Sequence, residues 1–428
     1  MVVRGTLQKI VTFSVAPALV SAGIAVAAHA AKQAPPHRLR SPKHEVTGTV
    51  PINQIHVAGG LPAPFAVEGS AAQLVALRSG TVLYAFNEHV KTQPASLAKM
   101  MTFYLALEAL HQGRITLDTQ MPVSEAAWRL SLNDSVSRMF LQVGQKVAVK
   151  DLLYGLMVSS GNDAAVVLSE YLGGSSASFA EQMNKKAAEL GMTETHFTNP
   201  DGLPTPDEYT TAADMVKLGR ALLETFPDAT TYTSAKEFTF HTVGPQNKPV
   251  TIEQRNFNTL LFYDSRVNGI KTGHVDEAGY HLVASAHAEG LDLISAVFGT
   301  ASMESRRVET DKLLEWAFQT FVTVNADWHK AAPAKMRVYE GDIEEVPIAP
   351  ESGTAYFTVL RGQEGKVKLT ADIPKTLLVA PIGKGTTVGQ ISVMLGDKPL
   401  SSVPLVTQTE VKEGGLIHRL MDKLRMKI

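Results

Sequence analysis

Residues 94–113, PASLAKMMTFYLALEALHQG, constrain this chain more than any other stretch. Leu97, Met100, Met101, Phe103, Tyr104, Leu105, Leu107 and Leu110 leave almost no polar face, so a helix here has to run through a core rather than lie on a surface. Pro94 suits a first turn, where its missing N–H costs nothing, and Gly113 offers a stop. Ser96 and Lys99 stand three residues apart and project from one face of that helix. A lysine buried there with no carboxylate assigned to it is costly to charge, so part of the population is the neutral amine. A neutral amine one turn from a hydroxyl is a base beside a nucleophile.

The rest of the chain supplies material to cover such a helix. Two short strands, 73–78 and 82–86, flank the hairpin signal Ser79-Gly80. Residues 101–223 are mostly helical in pattern, and include DLLYGLMVSS, NDAAVVLSEYL and SFAEQMNKKAAELG. Four strand-like runs follow, at 238–243, 267–272, 280–286 and 291–298, and then an amphipathic helix over 305–321. This order predicts an α+β domain in which the two ends of the segment pair in one antiparallel sheet packed against helices. Beyond Asp327 the runs at 337–339, 355–360, 367–371, 376–379, 389–395 and 398–407 read as a separate small all-β sandwich.

The two termini point to export. Arg4 and Lys9 precede an apolar run over 10–27 and the small-x-small triplet Ala28-His29-Ala30, the pattern of a secretory signal cut after Ala30. An uncleaved anchor is the competing reading, and either way the remainder is exported. The Pro-rich stretch 31–64 reads as a flexible leader. At the other end, Leu416, Ile417, Leu420, Met421, Leu424 and Ile428 share one side of a helix, with His418, Arg419, Asp422 and Arg425 opposite and Lys423 and Lys427 at the flanks. At roughly 20 Å this helix is too short to cross a bilayer, so it is expected to lie in the membrane interface; docking on the β module is the alternative. The expected boundaries are signal 1–30, leader 31–64, catalytic domain 65–326, β-sandwich 327–410 and amphipathic helix 411–428.

Composition removes several function classes. A formal net charge of -2 provides no field for nucleic acid. The absence of cysteine excludes disulfides, thiol catalysis and cysteine-rich metal sites. Thirteen histidines without an HExxH or paired spacing define no metal site, and no Gly-rich phosphate loop is present, so no cofactor is expected.

Two further motifs join the first. Ser160-Gly161-Asn162 falls between two helical patterns, on a tight loop that Gly161 permits; Ser131-Leu132-Asn133 has the same form but lacks that setting. Lys271-Thr272-Gly273, followed by His274, ends a strand led in by Val267-Asn268-Gly269-Ile270. Each is weak alone. In this order, on a buried helix, an inter-helix loop and a strand edge, they match the motif set of penicillin-recognising serine enzymes. The stretches PASLAKMMT, SSGNDAA, TNPDGLP and GIKTGHVDEAGYHLVASA resemble the low-molecular-mass penicillin-binding proteins that are D-alanyl-D-alanine carboxypeptidases, over most of the mature chain.

The resemblance implies a penicillin-binding and β-lactamase-like fold. It also implies a peptidoglycan stem peptide ending in D-Ala-D-Ala as substrate and β-lactams as covalent inhibitors, at the periplasmic face of the cytoplasmic membrane. Ser96 would attack the penultimate carbonyl and Lys99 would take its proton. Ser160 and Asn162 would relay the proton and fix Lys99 and the substrate amide. Lys271 and Thr272 would hold the terminal carboxylate, and the backbone N–H groups of Ser96 and His274 would hold the oxyanion. In some relatives an arginine lies in the segment of Asn256, Phe257 and Asn258; here Phe257 takes that slot, so a further carboxylate contact is unassigned. The loop Asn199 to Leu203 is a turn with no catalytic role assigned, and His281 and His287 read as surface residues. A β-lactamase would need a deacylating glutamate, for which Glu208 is the nearest candidate. A non-turnover penicillin-binding sensor or scaffold and a DD-endopeptidase are the other readings of the same site.

Overall fold

The computed structural model describes residues 55–243, 248–351 and 353–426. The expected signal segment, the leader up to residue 54, Lys427 and Ile428 lie outside them. A six-stranded antiparallel sheet forms the centre, built from β1 (His56–Val57), β2 (Ala71–Ala76), β3 (Thr81–Phe86), β4 (Val267–Val275), β5 (Gly279–Ala288) and β6 (Leu291–Thr300). Its order is β1-β3-β2-β6-β5-β4, so the early hairpin and the late strands meet where β2 pairs with β6. The pairing of the segment's two ends agrees with the sequence pattern.

Both faces of this sheet are covered. Along β6, Ile294, Ala296 and Phe298 enter the core on the side of the helical segment, while Leu291, Leu293 and Val297 enter a second core with Leu313, Leu314 and Ala317 of the helix Met303–Thr320. The two-residue period of a strand therefore serves two apolar layers. His281 shows the consequence: it was expected at the surface because it is out of step with its apolar neighbours, yet it is fully buried. Its Nδ1 accepts the Gly299 N–H at 3.0 Å, and burial lowers its pKa to about 3, so the ring is neutral.

Helix α1 (Lys99–His111) runs through the first core, with every residue from Lys99 to Leu107 buried. The turn ahead of it, Ala95–Ala98, is a 3-10 helix rather than the first turn of an α-helix. Helices α2 (Val149–Met157) and α3 (Asn162–Gly173) pack against α1. One strand departs from expectation: Glu237–Val243 does not join the central sheet but pairs with Pro249–Arg255 in a separate two-stranded sheet, its Phe238 stacked on Tyr154 at 5.5 Å.

The C-terminal module is all β. Strands Val367–Asp372, Thr387–Leu395, Lys398–Thr407, Glu345–Pro350, Lys335–Tyr339 and Leu378–Val379 form one sheet in that order. Phe321–Ala326 pairs with Ala355–Leu360 in a second ladder, and Phe357 and Val359 of that ladder pack on Val393 of the larger sheet. The strand Phe321–Ala326 lies on the catalytic side of the 326/327 boundary expected from sequence, but its ladder partner belongs to the β module. The terminal helix, Leu416–Arg425, follows.

Candidate active site

The 3-10 turn places Ser96 at the floor of a cleft of about 330 Å³, with Lys99 behind it. Lys99 is fully buried, and its Nζ donates to Ser96 Oγ at 3.0 Å and to the Asp201 carbonyl at 2.5 Å. Neither partner is an anion. Burial pushes the Lys99 pKa down to about 8, against the opposing pull of Asp201, Asp163 and Glu208. The ammonium thus loses its proton within reach of neutral pH, as a base for the serine requires.

Two glycines allow the turn to be approached this closely. Gly202 has φ +76°, and a Cβ there would lie 1.8 Å from the Ala95 carbonyl oxygen. Gly273 on β4 passes the same turn so tightly that a Cβ would meet the Pro94 carbonyl oxygen at 2.9 Å. Of the expected substrate-binding residues, Gly273 therefore has an evident steric role. Ala95 itself is held at φ 49°, a strained value for a residue with a Cβ, immediately before the serine.

Ser160 and Asn162 arrive on the loop between α2 and α3. Ser160 has φ 55°, its carbonyl accepts the Ser137 hydroxyl at 2.9 Å, and the Ser137 carbonyl accepts the Asn162 N–H at 2.9 Å. The neighbouring Asp163 is fully buried and accepts from Ser131 Oγ at 2.6 Å and from the N–H groups of Met139 and Leu141. The alternative Ser131-Leu132-Asn133 motif thus contributes its serine to bracing this loop. Asn162 Oδ1 is buried, has no protein partner among the described residues, and belongs to a side chain that lines the cleft. Such an acceptor is available to a ligand N–H.

The cleft brings together Ser96, Ser160, Asn162, Thr272, Gly273 and His274. Lys271 sits behind its wall: it is buried and donates to Ser160 Oγ at 3.0 Å and to the Thr272 carbonyl at 3.1 Å. Desolvation, reinforced by Lys99 and Arg306, pushes its pKa well down. The His274 ring is partly exposed and stacks on Tyr280 at 3.9 Å.

Sequence reasoning missed two groups. Arg306 lines the cleft, is 4% exposed, and donates to the carbonyls of Phe257, Gly273 and His281 at 3.1, 3.3 and 3.3 Å. Burial lowers its pKa only to about 10, so it remains a cation without a carboxylate partner among the described residues. The turn of Asn199 to Leu203 was assigned no role, yet its Asp201 carbonyl holds Lys99. The loop lies in the family-like stretch TNPDGLP but reads locally as a turn, and no motif marks Arg306, which the sequence shows only as a basic residue in an amphipathic helix. Glu208 is 2% exposed and does not line the cleft. Burial raises its pKa to about 8. Its carboxylate oxygens are buried and do not open onto the cleft that holds Ser96. Among the described residues no cluster of ligating side chains suits a metal.

Known proteins resemble the chain over most of its length. The sequence profile described as D-alanyl-D-alanine carboxypeptidase matches residues 60–302, and that of the C-terminal domain of penicillin-binding protein 5 matches residues 318–413. The chain is similar to the D-alanyl-D-alanine carboxypeptidase DacA of Haemophilus influenzae, at 37% identity over 83% of this chain and 88% of that protein. It is also similar to DacC of Escherichia coli, at 39% identity over 84% of this chain and 88% of that protein. Among solved structures, penicillin binding protein 5 from Haemophilus influenzae superposes with a TM-score of 0.72 at 35% identity, covering 82% of this chain and 99% of that one. The chain belongs to the serine D-alanyl-D-alanine carboxypeptidase family, and carries the penicillin-binding protein 5 C-terminal domain as its second module.

Proposed function

We propose that D-alanyl-D-alanine carboxypeptidase activity in this chain runs through Ser96 and removes the terminal D-alanine of peptidoglycan stem peptides. The observation that carries the reading is the Lys99 to Ser96 contact of 3.0 Å, made by a fully buried lysine with no ion-pair partner among the described residues. Neutral Lys99 takes the Ser96 proton as Oγ bonds to the penultimate carbonyl carbon. Collapse of that intermediate breaks the C–N bond, and the proton passes to the departing amine of D-alanine. Ser160, which accepts from Lys271 and lines the same cleft as Ser96, relays that proton to the leaving nitrogen. Water then adds to the acyl carbon and restores Ser96.

The substrate is held by side chains and backbone groups that line the cleft. Asn162 Oδ1 accepts the substrate's amide N–H, and the N–H groups of Ser96 and His274 face the developing oxyanion. The terminal carboxylate is met by the Thr272 hydroxyl and the Arg306 guanidinium, whose burial without an anion favours one arriving with the ligand. Lys271 acts through Ser160 and the local positive field. A β-lactam presents the same carbonyl and carboxylate, and its tethered leaving group makes deacylation slow.

Export and membrane attachment belong to the same reading. We propose the five segments 1–30, 31–64, 65–326, 327–410 and 411–428 as functional units, with the terminal helix lying in the interface at the periplasmic face of the cytoplasmic membrane. In support, Leu416, Ile417, Leu420, Met421 and Leu424 are all more than half exposed, on a helix whose polar side is engaged. Among the described residues no helix is long and apolar enough to cross a membrane.

D-Alanine release by purified residues 31–428 from a peptide ending in D-Ala-D-Ala tests the reading. Ser96→Ala is expected to abolish release and penicillin labelling, and Lys99→Ala to slow both by about 10²- to 10⁴-fold. Penicillin labelling of the unaltered chain without any release would leave a sensor and sink the carboxypeptidase assignment.

A further inference from the structure

One end of the cleft has an apolar rim. Arg306 donates to the carbonyl of Phe257, so the two residues share that end, and Met303 precedes Arg306 by three residues on one helix and hence lies on the same face. Phe257 and Met303 both line the cleft, yet they are 43% and 48% exposed. Large apolar side chains left open at a pocket mouth mark a surface that a ligand covers. In a dipeptide end D-Ala-D-X, the carboxylate and the side chain of X hang from the same carbon. Anchoring the carboxylate at Arg306 and Thr272 therefore brings that side chain to the residues flanking Arg306.

We propose that Phe257 and Met303 form the subsite for the side chain of the leaving residue, and that this subsite selects apolar leaving residues over charged ones. The inference rests on the reading of Arg306 as the carboxylate anchor. A methyl or a short alkyl chain gains contact with the phenyl ring and the thioether. A side chain ending in a charge gives up hydration there and finds no partner on either residue, and a cationic one also meets Arg306.

The test uses residues 31–428 and four acetylated peptides ending in D-Ala-D-Ala, D-Ala-D-norvaline, D-Ala-D-Glu and D-Ala-D-Lys, with the released amino acid measured by mass spectrometry. The expected kcat/KM for norvaline lies within about 3-fold of that for alanine, and those for Glu and Lys fall at least about 10-fold below it. Phe257→Ser and Met303→Ser are expected to narrow the apolar-to-charged ratio by at least about 3-fold each. Both positions are exposed, so the thermal unfolding midpoint reports that the variants are folded. Equal cleavage of all four peptides, or a ratio unchanged in both folded variants, overturns the subsite while leaving the carboxypeptidase assignment standing. No release even from D-Ala-D-Ala, with Ser96 still labelled by penicillin, takes down that assignment and the subsite with it.

Discussion

Helix α1 and the terminal helix Leu416–Arg425 are both rich in apolar residues and both contain lysine, and the fold treats them in opposite ways. In α1 the apolar residues surround the helix, so the core closes over its first nine residues and takes Lys99 inside. In the terminal helix they occupy one side, and the structure engages the other. Asp422, 1% exposed, accepts the Glu340 N–H at 2.8 Å and pairs with His418 at 3.3 Å, while Arg419 and Lys423 reach Glu340 at 3.4 and 3.7 Å. Docking on the β module and offering an apolar face outward are therefore compatible, where the sequence pattern had set them as alternatives. Apolar content says that a surface must be covered; the placement of the polar residues decides by what.

The largest effect expected along this comparison comes from removing the outward face. Truncation after Lys412 deletes five exposed apolar side chains, each worth about 1.5 kcal/mol or more when buried, so binding to anionic phospholipid vesicles should fall by more than about 100-fold. Release of D-alanine from a soluble peptide should be unaffected. Vesicle association that survives truncation would show that the helix is not the anchor.

A smaller effect follows from the buried face of α1. With the Lys99 pKa lowered to about 8, the amine is the minority form at pH 7 and reaches half at pH 8, so the rate of penicillin acylation should rise about five-fold across that interval. The sign follows from burial, which favours the uncharged form. A rate independent of pH between 6 and 9 would mean that Lys99 is not the titrating base.

The smallest effect sharpens the same point. Glu208, with its own pKa raised to about 8, is mostly protonated at pH 7 and raises the Lys99 pKa only where it ionises, so Glu208→Gln should leave the rate at pH 7 nearly unchanged and move the upper part of the acylation profile to lower pH, raising the rate near pH 8.5 by about two-fold. A profile of unchanged midpoint would place Glu208 outside the field of the lysine.

Much of the site was legible because its pieces are short-range. Ser96 and Lys99 are one turn apart, Ser160 and Asn162 bracket a glycine between two helical periods, and Thr272 and His274 end a strand that pairs with β5 as its alternation suggests. The contacts that complete it are long-range. The Asp201 carbonyl reaches Lys99 across 102 residues, and the Phe257 carbonyl holds Arg306 across 49. The edge hairpin Glu237–Val243 with Pro249–Arg255 was misplaced because its buried phenylalanines alternate just as those of a central strand would.

The sequence by itself determined which local structures form and which residues within them can react, because side-chain periodicity, glycine freedom and proline geometry act over a few residues. It therefore specified a buried helix opening on a serine and a lysine, a glycine-turned loop, a basic strand end and an amphipathic terminus. Tertiary structure alone decided that two helical layers bury His281, that Lys271 faces Ser160 rather than the cleft, and that the carbonyl partner of Lys99 comes from Asp201. It alone decided that Arg306 stands at the cleft beside an exposed phenylalanine. Those outcomes depend on strand order and close packing of segments far apart in the chain, and no local pattern encodes them.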